Sequence, residues 1–159
     1  MRGAAVLLAA GSASRMGHRP KYLIERDGQA LICRSAIALL DAGIQELVVV
    51  LGHYAQEVGP AVAGLPVTVV VNPNPEQGII SSQRLGLLSI TSTCDAVRAE
   101  VLQANDDFGC QIWRQHNRAW AHAWASDNLH YVTDLDSQAD IADLQQRGID
   151  LRWPDPNAG

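Results

Sequence analysis

The chain has 159 residues, enough for one buried core and short for two, and its 47% hydrophobic and 18% charged residues are the balance of a soluble globular protein. A net charge of -5 argues against nucleic acid as a partner, and no apolar run reaches the roughly 18 residues that cross a bilayer. Cys33, Cys94 and Cys110 are widely spaced with no C-x-x-C pair, which points to neither a zinc site nor a disulfide framework and suits a reducing cytoplasm.

The first apolar run, "AAVLLAA" (4 to 10), reads as a strand, and it is too short and wrongly flanked for a secretory signal. "SAIALLDAG" (35 to 43) follows as a helix closed by Gly43, and "ELVVVLG" (46 to 52) as a second strand. "HYAQEVGPAVAG" reads as a shorter helical segment interrupted by Gly59 and Pro60, leading to a third strand, "PVTVVVN" (66 to 72). The strands are Val-rich without alternation, as in a parallel sheet buried on both faces. Strand, helix, strand, helix, strand predicts a doubly wound α/β fold with a mostly parallel, Rossmann-like sheet, in a single domain over 1–153 with a frayed tail over 154–159.

Beyond residue 90 the pattern weakens. "EVLQANDDFGCQIWRQHNRAWAHAWA" reads as one or two helices broken near Asp106 to Gly109, and "LHYVTDLD" as a short strand. "SQADIADLQQRG" reads as a helix capped by Ser137 and ended by Gly148, and "IDLRWP" as a last edge strand. Trp113, Trp120 and Trp124 form a helix stripe, and indole surface left uncovered there would favour self-association.

Ligands of doubly wound sheets sit at the carboxyl ends of the strands, so "GSASRMG" after the first strand and "NPNPEQG" after the third should converge on one crevice. Ala9, Ala10 and Gly11 are small enough for a ligand to approach the backbone, and successive N–H groups in such a turn make an anion-binding nest. Arg15 and Lys21, the latter the only lysine of the chain, add two cationic arms. This is neither a P-loop, since His18 follows Gly17, nor the dinucleotide G-x-G-x-x-G. A glycine loop that merely turns the chain, with both cations solvated, is the plainer alternative.

"AAGSASRMGHRPK" resembles the signature of the molybdenum cofactor nucleotidyltransferases, the MobA-like NTP transferases, and "VVVLGHYAQEV" and "VVVNPNPEQGIISSQRLGL" resemble the next strands and loop of their cytidylyltransferase branch. "VTDLDSQADIADL" is similar to the family's Asp-Ile-Asp-Thr-Pro-x-Asp segment. The resemblance is close over residues 4 to about 91 and looser over about 106 to 145. It implies transfer of a nucleoside monophosphate from a triphosphate to a phosphate-bearing acceptor such as molybdopterin, with Mg2+ as cofactor and pyrophosphate released. By the same resemblance Leu8, Ala9, Ala10 and Gly11 would hold base and phosphates, and Arg15 and Lys21 would be the catalytic cations. Asn72, Gly78 and Ser82 would form the second nucleotide loop, and Asp134 and Asp136 would lie on the metal side. "LAAG" in place of "LAGG" tilts the base from GTP toward CTP.

One departure bears on chemistry. The family's Leu-Gly-Asp-x-Pro segment, whose aspartate holds magnesium, has no counterpart after "CDAV", and the middle of the chain is short. Asp106 and Asp107 read as a solvated helix cap rather than a substitute, His53 reads as structural with ligand contact near the crevice as the alternative, and His116, His122 and His130 lack a metal-ligand arrangement. Two functions therefore stay open, a cytidylyl-type transferase and a nucleotide-binding relative without turnover. A Rossmann dehydrogenase is disfavoured by the missing fingerprint.

Overall fold

The computed structural model describes residues 3–92 and 135–155. Three parallel strands carry it: β1 (Gly3–Ala9), β4 (Ile44–Leu51) and β5 (Thr68–Val71), in the order β1-β4-β5. β1 and β4 pair from Gly3↔Ile44 to Ala9↔Leu51, and β4 and β5 from Val48↔Thr68 to Leu51↔Val71, so all three strands end at one rim.

Helices cover both faces. Leu47, Val49 and Leu51 point to the side of α1 (Leu31–Asp41) and α2 (Ala55–Val62), where they meet Ile32, Ala36, Val58 and Val62. Val48 and Val50 point the other way, packing with Val6, Leu8 and Leu85, the last on α3 (Ile79–Leu88). That period-two division is why the run reads as unbroken valine and leucine, since each face of β4 needs an apolar residue. At Gly86 on α3 an added Cβ would strike Val6 Cγ1 and come within 2.9 Å of Val50 Cγ2, so glycine is what lets this helix lie close on the sheet.

A second, antiparallel sheet has the order β3-β2-β6, with β2 (Glu25–Arg26), β3 (Gln29–Ala30) and β6 (Leu151–Arg152). The β2–β3 hairpin escaped the sequence reading, although Asp27-Gly28 is a strong turn signal. Both residues have positive φ, 56° and 72°, as a two-residue turn of the primed type requires. The last helix, α4 (Gln138–Gln146), starts on Ser137 with a full capping box and is followed by Gly148 at φ 81°, as expected. Ile141 and Leu144 of α4, with Leu151, close over Met16 and Ile24, which binds the carboxyl-terminal segment beneath the loop that follows β1.

Other differences from expectation are local. α1 begins at Leu31, four residues before the expected start at 35, because Ala30 precedes it without a side-chain cap to announce it. α2 runs through Gly59 and Pro60. Its partner in the missing bond would be Gln56 in the first turn, so the proline forfeits little in so short a helix. Among the described residues no helix is long and apolar enough to cross a membrane. The tryptophan stripe, the "LHYVT" strand, Asp106, Asp107, Asp134, His116, His122 and His130 lie outside the described residues.

Glu46 on β4 holds the exit of α3. Its carboxylate accepts from the Thr91 N–H at 2.6 Å, the Thr91 hydroxyl at 2.9 Å and the Ser92 N–H at 2.8 Å. These donors, the Ser92 contacts and the Thr91 N–H foremost, lower its pKa from 4.5 to about 2. A depressed carboxyl contributes stability above its unfolded value and loses it as pH falls through the folded one. The difference in thermal midpoint between wild type and Glu46→Gln is therefore expected to be constant above about pH 5 and to vanish toward pH 2. Equal midpoints at neutral pH would refute the assignment.

Candidate nucleotide site

The site begins where β1 ends. Beyond Ala10 the chain passes through Gly11 to Ala13, then makes a 3-10 turn, Ser14–Met16, pinned by the buried Met16 side chain. Ala13 and His18 have φ of 52° and 59°, a region that costs a non-glycine residue about 1 kcal/mol or more. What sustains it is local: the N–H groups of Met16 and His18 both donate to the Ala13 carbonyl, at 2.9 and 3.0 Å. The N–H groups of Gly11, Ser12 and Ala13 donate to nothing among the described residues. They are the open donors that the nest expected from the sequence would need.

A second 3-10 turn, Lys21–Leu23, follows Pro20. Lys21 Nζ donates to Asp136 Oδ1 at 2.8 Å and to the Leu135 carbonyl at 3.0 Å, and Arg15 Nη2 lies 3.2 Å from Asp136 Oδ2. The hydrogen bond from Lys21 first, then its charge, holds the Asp136 carboxyl below the ordinary aspartate value. Asp136 is itself fixed, because its N–H and that of Ser137 both donate to Asp140 Oδ2, at 2.9 and 2.6 Å. Those contacts, with the Ser137 hydroxyl, also keep Asp140 below its ordinary value.

Two adjoining hollows result. The first, about 260 Å³, is bounded by Gly11 to Met16, Lys21, Tyr22 and Asp136. The second, about 460 Å³, lies between the loop after β1 and the loop after β5 and falls within the roughly 300–1,000 Å³ of small-molecule sites. Gly11, Ser12 and Tyr22 line both, so the two spaces adjoin along the strand ends. Burial, the largest influence, raises the Tyr22 phenol above its ordinary value.

The expected residues divide accordingly. Arg15, Lys21, Gly11 and Asp136 meet at the first hollow, and Leu8, Ala10, Gly11, Gly78 and Ser82 at the second. Ala9 is buried in the core on the α1 side. Asn72 lies beneath the second loop, where Nδ2 donates to Ser81 Oγ at 2.8 Å and Ser82 Oγ at 2.9 Å while Oδ1 accepts from the Asn74 N–H at 2.9 Å. Its amide thus holds the loop's shape. The sequence reading missed Ser12, Tyr22 and Glu76 on the crevice wall, none of which carries a signal beyond its place beside a motif. It also missed the pairing of Asp136 with both cations, a contact 115 residues apart for Lys21.

Among the described residues magnesium finds a poor fit. No three His, Cys, Asp or Glu side chains gather into a metal group among the described residues. Asp136 already has one oxygen on Lys21 and the other facing Arg15.

Comparison with known proteins gives the family and the fold. The MobA-like NTP transferase domain matches residues 5–104. Nicotine blue oxidoreductase of Paenarthrobacter nicotinovorans is 40% identical over 81 residues, covering 51% of this chain and 40% of that protein. CMP-5'-(3-aminopropyl)phosphonate synthase of Streptomyces rubellomurinus is 39% identical over 79 residues, covering 45% of this chain and 13% of that one. The chain thus spans well under half the length of these relatives. In three dimensions it is similar to a nucleotidyl transferase from Methanothermobacter thermautotroptrophicus, with a TM-score of 0.75 at 18% identity, covering 92% of this chain and 97% of that one. Because the family match covers well over half of its residues, this chain belongs to the MobA-like NTP transferase domain family.

Proposed function

We propose that the crevice binds a nucleoside triphosphate, base in the larger hollow and phosphates against Arg15, Lys21 and the open N–H groups of Gly11 to Ala13, and that the chain transfers the nucleoside monophosphate to a phosphate-bearing acceptor. The observation that carries this reading is the junction of a cationic hollow, rich in unused backbone donors, with a larger one walled partly by Leu8 and Ile79. In the reaction an acceptor oxygen forms a bond to the α-phosphorus as the bond to the β-phosphate oxygen breaks. Arg15 and Lys21 would neutralise the charge gathering on the departing pyrophosphate. CTP is favoured by the Leu-Ala-Ala-Gly opening and by the likeness to a CMP-5'-(3-aminopropyl)phosphonate synthase. A molybdopterin-type acceptor and a cytoplasmic setting are parts of the same proposal.

A second reading, nucleotide binding without turnover, is favoured by the pairing of Asp136 with two cations and by the lack of a Gly-Asp-x-Pro segment in the sequence. Calorimetric titration with CTP and GTP, with and without magnesium, tests both. The expected result is CTP binding tighter than GTP, with magnesium strengthening it if the chain is a transferase. Binding indifferent to magnesium would select the second reading, and no binding of either nucleotide would refute the site.

A further inference from the structure

Two side chains after β4 reach across to the cradle loop, and one of them, His53, also lines the larger hollow. His53 Nδ1 lies 3.0 Å from the Ala10 carbonyl, and the Tyr54 hydroxyl donates to the Ser12 carbonyl at 3.0 Å. A carbonyl only accepts, so His53 must carry its proton on Nδ1 for this bond. Both residues are brought near by Gly52, where an added Cβ would stand 2.6 Å from the Ala10 carbonyl oxygen and 2.8 Å from its Cβ. Tyr54 is anchored in turn, because the N–H groups of Glu57 and Val58 at the start of α2 donate to its carbonyl, at 3.1 and 2.9 Å.

The peptide bonds here are trans, so each carbonyl points opposite to the N–H of the next residue. We infer that His53 and Tyr54 are positioning residues for the anion cradle: by holding the carbonyls of Ala10 and Ser12 toward β4, they turn the N–H groups of Gly11 and Ala13 the other way, where a phosphate can take them. The cationic hollow itself receives no residue from 52–54, although His53 lines the larger hollow beside it, so the clamp acts on the phosphates through the loop. Without it either peptide could flip and present a carbonyl oxygen to the anion. The left-handed Ala13 shows that the loop is held in a conformation its sequence does not favour.

This inference rests on the nucleotide-site reading, and inorganic pyrophosphate, which probes the cradle without the base, separates the two. Binding is measured by calorimetry on the full chain, with thermal midpoints taken alongside. Tyr54→Phe and His53→Ala are each expected to weaken binding about two- to tenfold, the share of one neutral hydrogen bond, at little change in midpoint. His53→Asn, whose amide places an N–H near the position of Nδ1, is expected to retain wild-type affinity. Wild-type affinity in Tyr54→Phe and His53→Ala, with binding lost in Lys21→Ala, would overturn the clamp and leave the cradle standing. Failure of His53→Asn to rescue, or losses that merely track a lower midpoint, would overturn the clamp too. No pyrophosphate binding by the wild type would overturn cradle and clamp together.

Discussion

Lys21→Ala is expected to weaken CTP binding by about ten- to a hundredfold, the loss of one charge-assisted phosphate contact worth about 1.5–3 kcal/mol. Asp136→Asn is expected to act in the opposite direction. In the structure Asp136 takes Lys21 at 2.8 Å and Arg15 at 3.2 Å, so an incoming phosphate must draw both cations away from a carboxylate already paired with them. Removing that charge should tighten binding severalfold. In Lys21→Ala the carboxylate would stay beside the phosphate with only Arg15 to offset it, so the double variant should recover part of the loss. Stability should change little, because the Lys21 and Asp136 side chains are 33% and 40% exposed, that of Arg15 is 73%, and pairs near the surface contribute roughly 0–1 kcal/mol. Calorimetry on the four proteins checks the cycle. Weaker binding in Asp136→Asn would mean that the carboxylate serves the bound ligand rather than competing with it.

Gly86→Ala is the substitution expected to harm folding most. Its methyl would enter space held by Val6 and Val50, whose branched side chains on adjoining strands have little rotameric room to yield. Overpacking of this kind costs about 1–3 kcal/mol, and the gain of about 1 kcal/mol from placing alanine in a helix does not cover the upper part of that range. The net loss is up to about 2 kcal/mol, which would lower the thermal midpoint by up to about 4–8 °C in a domain of this size. Val6→Ala in the same chain should return much of it by making room for the methyl. An unchanged or higher midpoint in the single variant would show that α3 does not lie so close to the sheet.

The legible parts of the molecule are those in which local pattern and tertiary role agree. Val48 to Leu51 are buried on both sides, so the run itself announces a central parallel strand, and Ser137 with Asp140 announces the start of α4. The two loops at the strand ends could be brought together on paper because doubly wound sheets place all such ends on one rim. Other features had no local mark. Asn72 is a ligand candidate by motif, and only coordinates show its amide fully engaged within its own loop. Asp136 could be placed on the metal side by resemblance, but its contacts with Arg15 and Lys21 depend on how the carboxyl-terminal segment folds back. His53 reads as a structural histidine with ligand contact as the alternative; its Nδ1 meets the backbone of the cradle, and the residue also lines the larger hollow.

The packing of Ile141, Leu144 and Leu151 onto Met16 and Ile24 has a consequence for biosynthesis. Synthesis delivers β1, α1, β4, α2, β5 and α3 first, and their contacts link neighbours in sequence, so this half can assemble while the ribosome is still at work. The loop after β1 cannot gain its apolar floor, nor Lys21 its partner, until residues beyond 135 have emerged. A nascent chain halted before that point would have the sheet, the helices and the walls of the larger hollow, but a cationic hollow without Asp136 and without its apolar floor.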